Sequence, residues 1–242
     1  MVHSPRTPEI DHHTIKLIVG IIALTLGPLV NLFAAVPLTS ISASYYSIGL
    51  PQSIFIGFLF ATAAFLLSYN GESGAEMVLS KVAGVAALAV ALVPCQCDGR
   101  AVTMPFVHGL AAAVMFLILT YFCYCFRQRA IVKPSKQSKL RALIYTLCAA
   151  VMVLSILALA LDHLTHGTVS RHDPWLTYQG EYAALTAFGI SWLTASRMLP
   201  LITAREERLK LIGQGVAGAP TGSASGRENA AGVAQGGPPE SP

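Results

Sequence analysis

The chain has 242 residues, of which 54% are apolar and 12% charged, with 16 Lys and Arg against 12 Asp and Glu and a formal net charge of +4. A soluble domain carries about 25% charged residues, and a chain with half that share cannot cover a water-facing surface, which excludes an ordinary soluble enzyme. Five cysteines fall short of a disulfide scaffold, and the absence of any dinucleotide fingerprint, P-loop or basic-aromatic surface leaves no reason to expect a nucleic-acid partner.

Crossing about 30 Å of hydrocarbon takes roughly 20 helical residues. Continuously apolar runs, rather than alternating ones, predict helices and not barrel strands. Residues 1–14 read as a flexible N-terminus, in which Glu9, Asp11, His12 and His13 dilute the positive charge a signal peptide needs, so the first span is expected to be retained. That span is Leu17–Val36, with Pro28 inside it predicting a kink. The second, Pro51–Tyr69, opens on a proline that is harmless in a first helical turn. The third, Met77–Pro94, contains Lys81, whose long side chain is expected to reach the headgroups. Cys95 and Cys97 follow it, one residue apart and too tightly spaced for an easy bridge. Val107–Phe126 and Leu143–Leu161 are the fourth and fifth spans, with Cys123, Cys125 and Cys148 inside apolar runs as packing residues. Tyr182–Pro200 is the sixth, with Arg197 near its end. The transmembrane domain thus occupies residues 15–204 as an all-α polytopic bundle of six spans. Residues 211–242, rich in Gly, Ala, Ser and Pro, read as a disordered tail.

Fourteen of the 16 basic residues fall on one side of this arrangement, six of them between Arg127 and Arg141, leaving only Arg100 and Arg171 opposite. The positive-inside rule then puts both termini in the cytoplasm. Tyr45, Tyr46, Trp175, Tyr178 and Tyr182 would form the outer aromatic belt, and Tyr69, Tyr121, Tyr124 and Tyr145 the inner one. Gly57-x-x-x-Ala61, Gly84-x-x-Ala87-x-x-x-Ala91 and Gly109-x-x-x-Ala113 predict close helix contacts.

Span interiors carry only mild polar groups, among them Asn31, Thr62, Thr120, Ser155, Thr186 and Ser191, which suit packing better than coupled transport. The outer rim is richer. His108, His163, His166 and His172 gather there with Cys95, Cys97, Asp98, Asp162, Asp173 and Glu181. A helical continuation of span five puts Asp162 and His163 each on a shared face with His166. His108, His163 and His166 are therefore candidate zinc ligands, with Asp162 or Glu181 as general base for metal-activated water. His108 and His163 also suit axial ligation of a haem. Against both stands the fact that polar residues collect at membrane boundaries, where they cost least, and an acid at a helix start favours the dipole. The basic segment between spans four and five is sufficient as a topogenic signal and also suits anionic headgroups.

Ser40-Ile-Ser-Ala-Ser-Tyr-Tyr46, Ile54-Phe-Ile-Gly57, Ser68-Tyr-Asn-Gly71, the run Val82–Pro94, Glu181 and Phe188-Gly-Ile-Ser-Trp192 together resemble a group of uncharacterised bacterial six-span inner-membrane proteins. In that group an Arg-Asp pair often precedes the Ile-Phe run, where this chain has Gln52-Ser53. The resemblance implies the fold and no activity. A distant likeness to the superfamily of alkaline ceramidases and progestin/adiponectin-type receptors, seven-span hydrolases with a histidine-bound zinc, rests on His163-x-x-His166 where they carry His-x-x-x-His. The leading expectation is a non-catalytic membrane component that binds lipid or a membrane-protein partner. The alternative is a zinc-dependent hydrolase at the outer rim, and the third a carrier or channel for a neutral solute.

Overall fold

The computed structural model describes residues 12–132, 135–165 and 167–198. Six α-helices account for most of them: α1 (His12–Phe33), α2 (Leu50–Ser68), α3 (Gly74–Leu92), α4 (Pro105–Ile131), α5 (Lys136–Leu164) and α6 (Leu176–Ala195). Short 3-10 turns cover Ser42–Tyr46 and Cys97–Gly99, and no strand occurs among the described residues. The expected N-terminal segment and tail fall largely outside them, although α1 already begins at His12.

Local chemistry sets the helix starts. Pro51 and Pro105 occupy first turns, where a missing N–H is no loss. Ser73 and Ser135 accept hydrogen bonds from the amides of Glu76 and Ser138 as N-caps. Five helices, α1 to α5, are long and apolar enough to cross a membrane. α6 is more polar, with Thr177, Gln179, Glu181, Thr186, Ser191 and Thr194 along its length. Its Ser191 and Thr194 are buried against neighbouring helices.

Each helix packs on its neighbours in the chain, and α6 returns to α1 to close a ring. Neighbouring helices run antiparallel, as the approach of Gly20 to Gly189, of Gly84 to Ala63 and of Gly180 to Leu159 shows. One end of the bundle therefore gathers the starts of α1, α3 and α5 with the ends of α2, α4 and α6. Lys16, Lys81, Arg127, Arg129, Lys136, Lys139, Arg141 and Arg197 cluster toward it, and it is called the basic end below. The other end, the rim, carries Arg100 and Arg171.

The middle of the ring is filled. Toward the basic end Tyr69, Phe122, Phe126, Phe188 and Trp192 interlock with ring centroids about 5 to 6 Å apart. Toward the rim Leu26, Val30, Phe55, Leu59, Val90 and Leu185 take over. Tyr69 and Tyr145 are buried in this core and so do not belong to an interfacial belt; Tyr121, Tyr124, Trp175 and Tyr182 remain exposed as a belt requires.

Small residues decide how closely helices approach. A Cβ on Gly20 would lie 2.9 Å from Leu193 Cγ and 3.0 Å from the Gly189 carbonyl, so α1 and α6 meet through a pair of glycines. Gly84 sits 3.1 Å, by the same measure, from the Ala63 carbonyl of α2. Gly57 and Gly109, by contrast, have open space where a Cβ would stand, which corrects the expectation of close contacts there. Both lie on the outward faces of their helices.

Candidate functional site

The rim is organised around a connection and a carboxylate. Residues 34–49 between α1 and α2 fold back over the start of α6, where the Tyr178 amide donates to the Thr39 carbonyl at 3.0 Å. Glu181, one turn on, receives the Ser40 hydroxyl (2.9 Å), the Ile41 amide (2.5 Å) and the Ser42 amide (3.3 Å) on Oε2, and the Ser42 hydroxyl (2.8 Å) on Oε1. A carboxylate so occupied is a clamp on the connection.

The other rim candidates are held separately. Asp162 Oδ1 accepts the amides of Val169 and Ser170, both at 2.9 Å, and so shapes the loop after α5. That helix ends at Leu164, and Gly167, at φ +75°, returns its amide to the Asp162 carbonyl at 2.8 Å. The helical continuation expected to align Asp162 and His163 with residue 166 therefore stops short; a glycine in the left-handed region is the usual cause of such a stop. His163 is exposed, its ring 6.2 Å from that of Phe106, and His166 lies outside the described residues. His108 is buried with Nδ1 2.7 Å from the Val93 carbonyl. The carbonyl can only accept, so Nδ1 donates, and Nε2 has no partner among the described residues. Among the described residues, no three His, Cys, Asp or Glu side chains converge as a metal would need.

Cys95 and Cys97 form a disulfide, with Cα atoms 5.2 Å apart, contrary to the expectation from their spacing. The chain turns sharply into a 3-10 segment at Cys97, and the turn brings the two sulfurs together across Gln96.

The basic end assembles a different site. A cavity of about 230 Å³ opens there, lined by His13 and Lys16 of α1, by Glu72 between α2 and α3, by Phe126, Arg129 and Ala130 of α4, by Arg141 and Tyr145 of α5, and by Ala195 and Arg197 at the end of α6. Its one acid, Glu72, is held at 3.0 Å by Arg129 Nε, and Arg129 also pairs with the buried Glu76. Glu76 is itself fixed at the start of α3, taking the Ser73 hydroxyl at 3.4 Å and the Glu72 amide at 3.2 Å while its own amide donates to Ser73 Oγ at 3.2 Å. The Arg141 guanidinium donates to Ser138 Oγ at 3.0 Å. Lys16 is only 5% exposed. Its ammonium lies 4.9 Å from the Phe126 ring centre and 5.5 Å from that of Tyr69.

Arg197 completes the cavity from a position usually given to glycine. It follows the last turn of α6 with φ +57°, the one non-glycine residue in the left-handed region among those described. That conformation costs about 1–2 kcal/mol for a side chain with a Cβ. Lys81, expected to reach the headgroups, instead donates to the Tyr69 carbonyl (3.1 Å), Asn70 Oδ1 (3.0 Å) and the Leu67 carbonyl, capping the C-terminus of α2.

Sequence reasoning missed this cavity because it assigned its cations to topology. One signal was present: Lys16 falls on the same stripe as Gly20, Ala23, Gly27 and Val30, all of which α1 buries.

Fold and site together define an all-helical protein with several helices suited to a bilayer and a basic cavity at one end of the bundle. No protein family, curated protein or solved structure matches the chain.

Proposed function

We propose that the protein is a non-catalytic, six-span membrane protein of a bacterial inner membrane, with both termini cytoplasmic, that holds a phosphate-bearing lipid headgroup in its basic-end cavity. One observation carries the reading: Lys16, nine-tenths buried, lines a cavity with Arg129, Arg141 and Arg197 in which the one carboxylate, Glu72, is already bound by Arg129. Burying an ammonium costs several kcal/mol unless it is compensated. Two aromatic faces offset on the order of 2 kcal/mol of that, and an anion among the cations would offset the rest. The four cations face two carboxylates, both bound to Arg129, so the lining has an excess of positive charge.

The span count is supported by α6, which at 20 residues matches the length of a crossing and is flanked by α1 and α5. The orientation is supported by the concentration of Lys and Arg at the end where the cavity opens.

The test is native mass spectrometry of the purified protein with phosphatidylglycerol, phosphatidylcholine or inorganic phosphate. The wild type should retain phosphatidylglycerol preferentially, and Lys16→Gln should weaken that retention about tenfold, the equivalent of ~1.4 kcal/mol. Displacement of the lipid by millimolar phosphate would identify the free anion as the ligand. Equal retention of both lipids by wild type and variant would overturn the reading.

A further inference from the structure

The disulfide between Cys95 and Cys97 lies at the rim, away from the cavity and independent of the reading given to it. It closes a loop of three residues, the smallest that cysteines separated by one residue allow. A disulfide stabilises mainly by restricting the unfolded chain, and more so the longer the loop it closes. Here it restricts almost nothing, and the backbone around it is already fixed. The Tyr46 hydroxyl donates to the Cys95 carbonyl at 2.7 Å, the Arg100 guanidinium lies 4.7 Å from the Tyr46 ring centre, and the Arg100 amide closes the 3-10 turn on the Cys97 carbonyl at 3.1 Å.

The two sulfurs are not equivalent. Cys95 is buried, whereas Cys97 is half-exposed at the start of its turn. Cys97 Sγ is 4.0 Å from Ser40 Oγ, and that hydroxyl donates to Glu181. An incoming thiolate therefore has one accessible sulfur, beside a hydroxyl oriented by a carboxylate. The three remaining cysteines belong to α4 and α5, where Cys123 and Cys148 are buried in the core and Cys125 is partly covered. The thiol that reacts must come from outside the chain.

We propose that Cys95–Cys97 is a thiol–disulfide exchange site that oxidises a dithiol, with Cys97 as the sulfur attacked. A thiolate of the dithiol forms a bond to Cys97 Sγ as the Cys97–Cys95 bond breaks, and Cys95 leaves as a thiolate that takes up the proton lost by the attacking thiol. The second thiol of the dithiol then deprotonates and attacks its own sulfur in the mixed disulfide. Cys97 leaves as a thiolate and takes up that second proton. Two electrons and two protons pass from the dithiol to the cysteine pair, and the dithiol becomes a disulfide.

The experiment treats the full-length protein in detergent, in its native state, with dithiothreitol or with reduced ribonuclease as a protein dithiol, and counts freed thiols by maleimide mass shift. Opening of the wild-type disulfide within minutes by either dithiol supports the proposal, and the faster of the two identifies the kind of dithiol it takes. With oxidised glutathione as the trap, Cys95→Ser, which leaves Cys97, should accumulate at least ten times more mixed disulfide than Cys97→Ser, which leaves the buried Cys95. Two free thiols in the protein as isolated, opening only after denaturation, or equal trapping by the two variants would each overturn it. The wild-type measurement requires neither variant to fold.

Discussion

Glu181 draws four hydrogen bonds from a segment about 140 residues earlier in the chain. Removing the carboxylate would leave the Ile41 and Ser42 amides and two hydroxyls without an acceptor. Hydrogen bonds to charged groups contribute about 1.5–3 kcal/mol each, although not additively. Glu181→Ala should therefore destabilise the protein by about 2–4 kcal/mol, seen as a clear fall in the melting temperature in detergent. An unchanged melting temperature would mean that the connection is held by something else. The same residue shows what a sequence conveys at this scale. Its polarity is legible and suits a general base as well as a clamp, whereas the helix start expected there lies at Leu176, which leaves Glu181 in the second turn of α6. The difference lies in Ser40–Ser42, which no local spacing ties to Glu181. Lys16 is the opposite case: its helical phase with Gly20 and Gly27 points inward, but a single basic residue before an apolar run reads first as a topological flank.

At the scale of the helix, apolar length and proline placement are enough to locate α1 to α5, because hydropathy is a local property and bilayer thickness sets its period. Which glycines are contacts is not local. Gly57 and Gly189 both sit mid-helix among apolar residues, yet the first faces outward with open space and the second faces α1. A Cβ on Gly189 would meet Leu24 Cγ at 2.7 Å and the Gly20 carbonyl at 2.9 Å, and a backbone atom cannot swing aside as a side chain can. Gly189→Ala should push α6 from α1 and cost about 1–3 kcal/mol, as overpacking does. Gly57→Ala should be neutral or gain up to about 1 kcal/mol from helix propensity. Unfolding of the two variants in mixed micelles by increasing dodecyl sulfate compares them directly, and equal stabilities would refute the glycine contact.

Across the whole molecule, two kinds of chemistry separate to opposite ends. The basic end concentrates cations and a cavity lined by them; the rim holds the disulfide, the Glu181 clamp and the histidines His108 and His163. The antiparallel order makes the separation obligatory, since each connection returns the chain to the end it left two helices earlier. Two unrelated forces then favour the same orientation. Lys and Arg near helix ends are retained on the cytoplasmic side, while a disulfide persists on the oxidising side. Single cysteines replacing Lys139 at the basic end and His172 at the rim, in a chain whose native cysteines are changed to serine, read the orientation out. A membrane-impermeant maleimide should label the His172→Cys variant in intact cells and the Lys139→Cys variant only after permeabilisation. The reverse pattern would put the disulfide in a reducing compartment and the basic cavity outside, removing the physical basis of both proposed sites at once. Labelling of both in intact cells would instead require an odd number of crossings between residues 139 and 172 to be absent, so that α5 does not span.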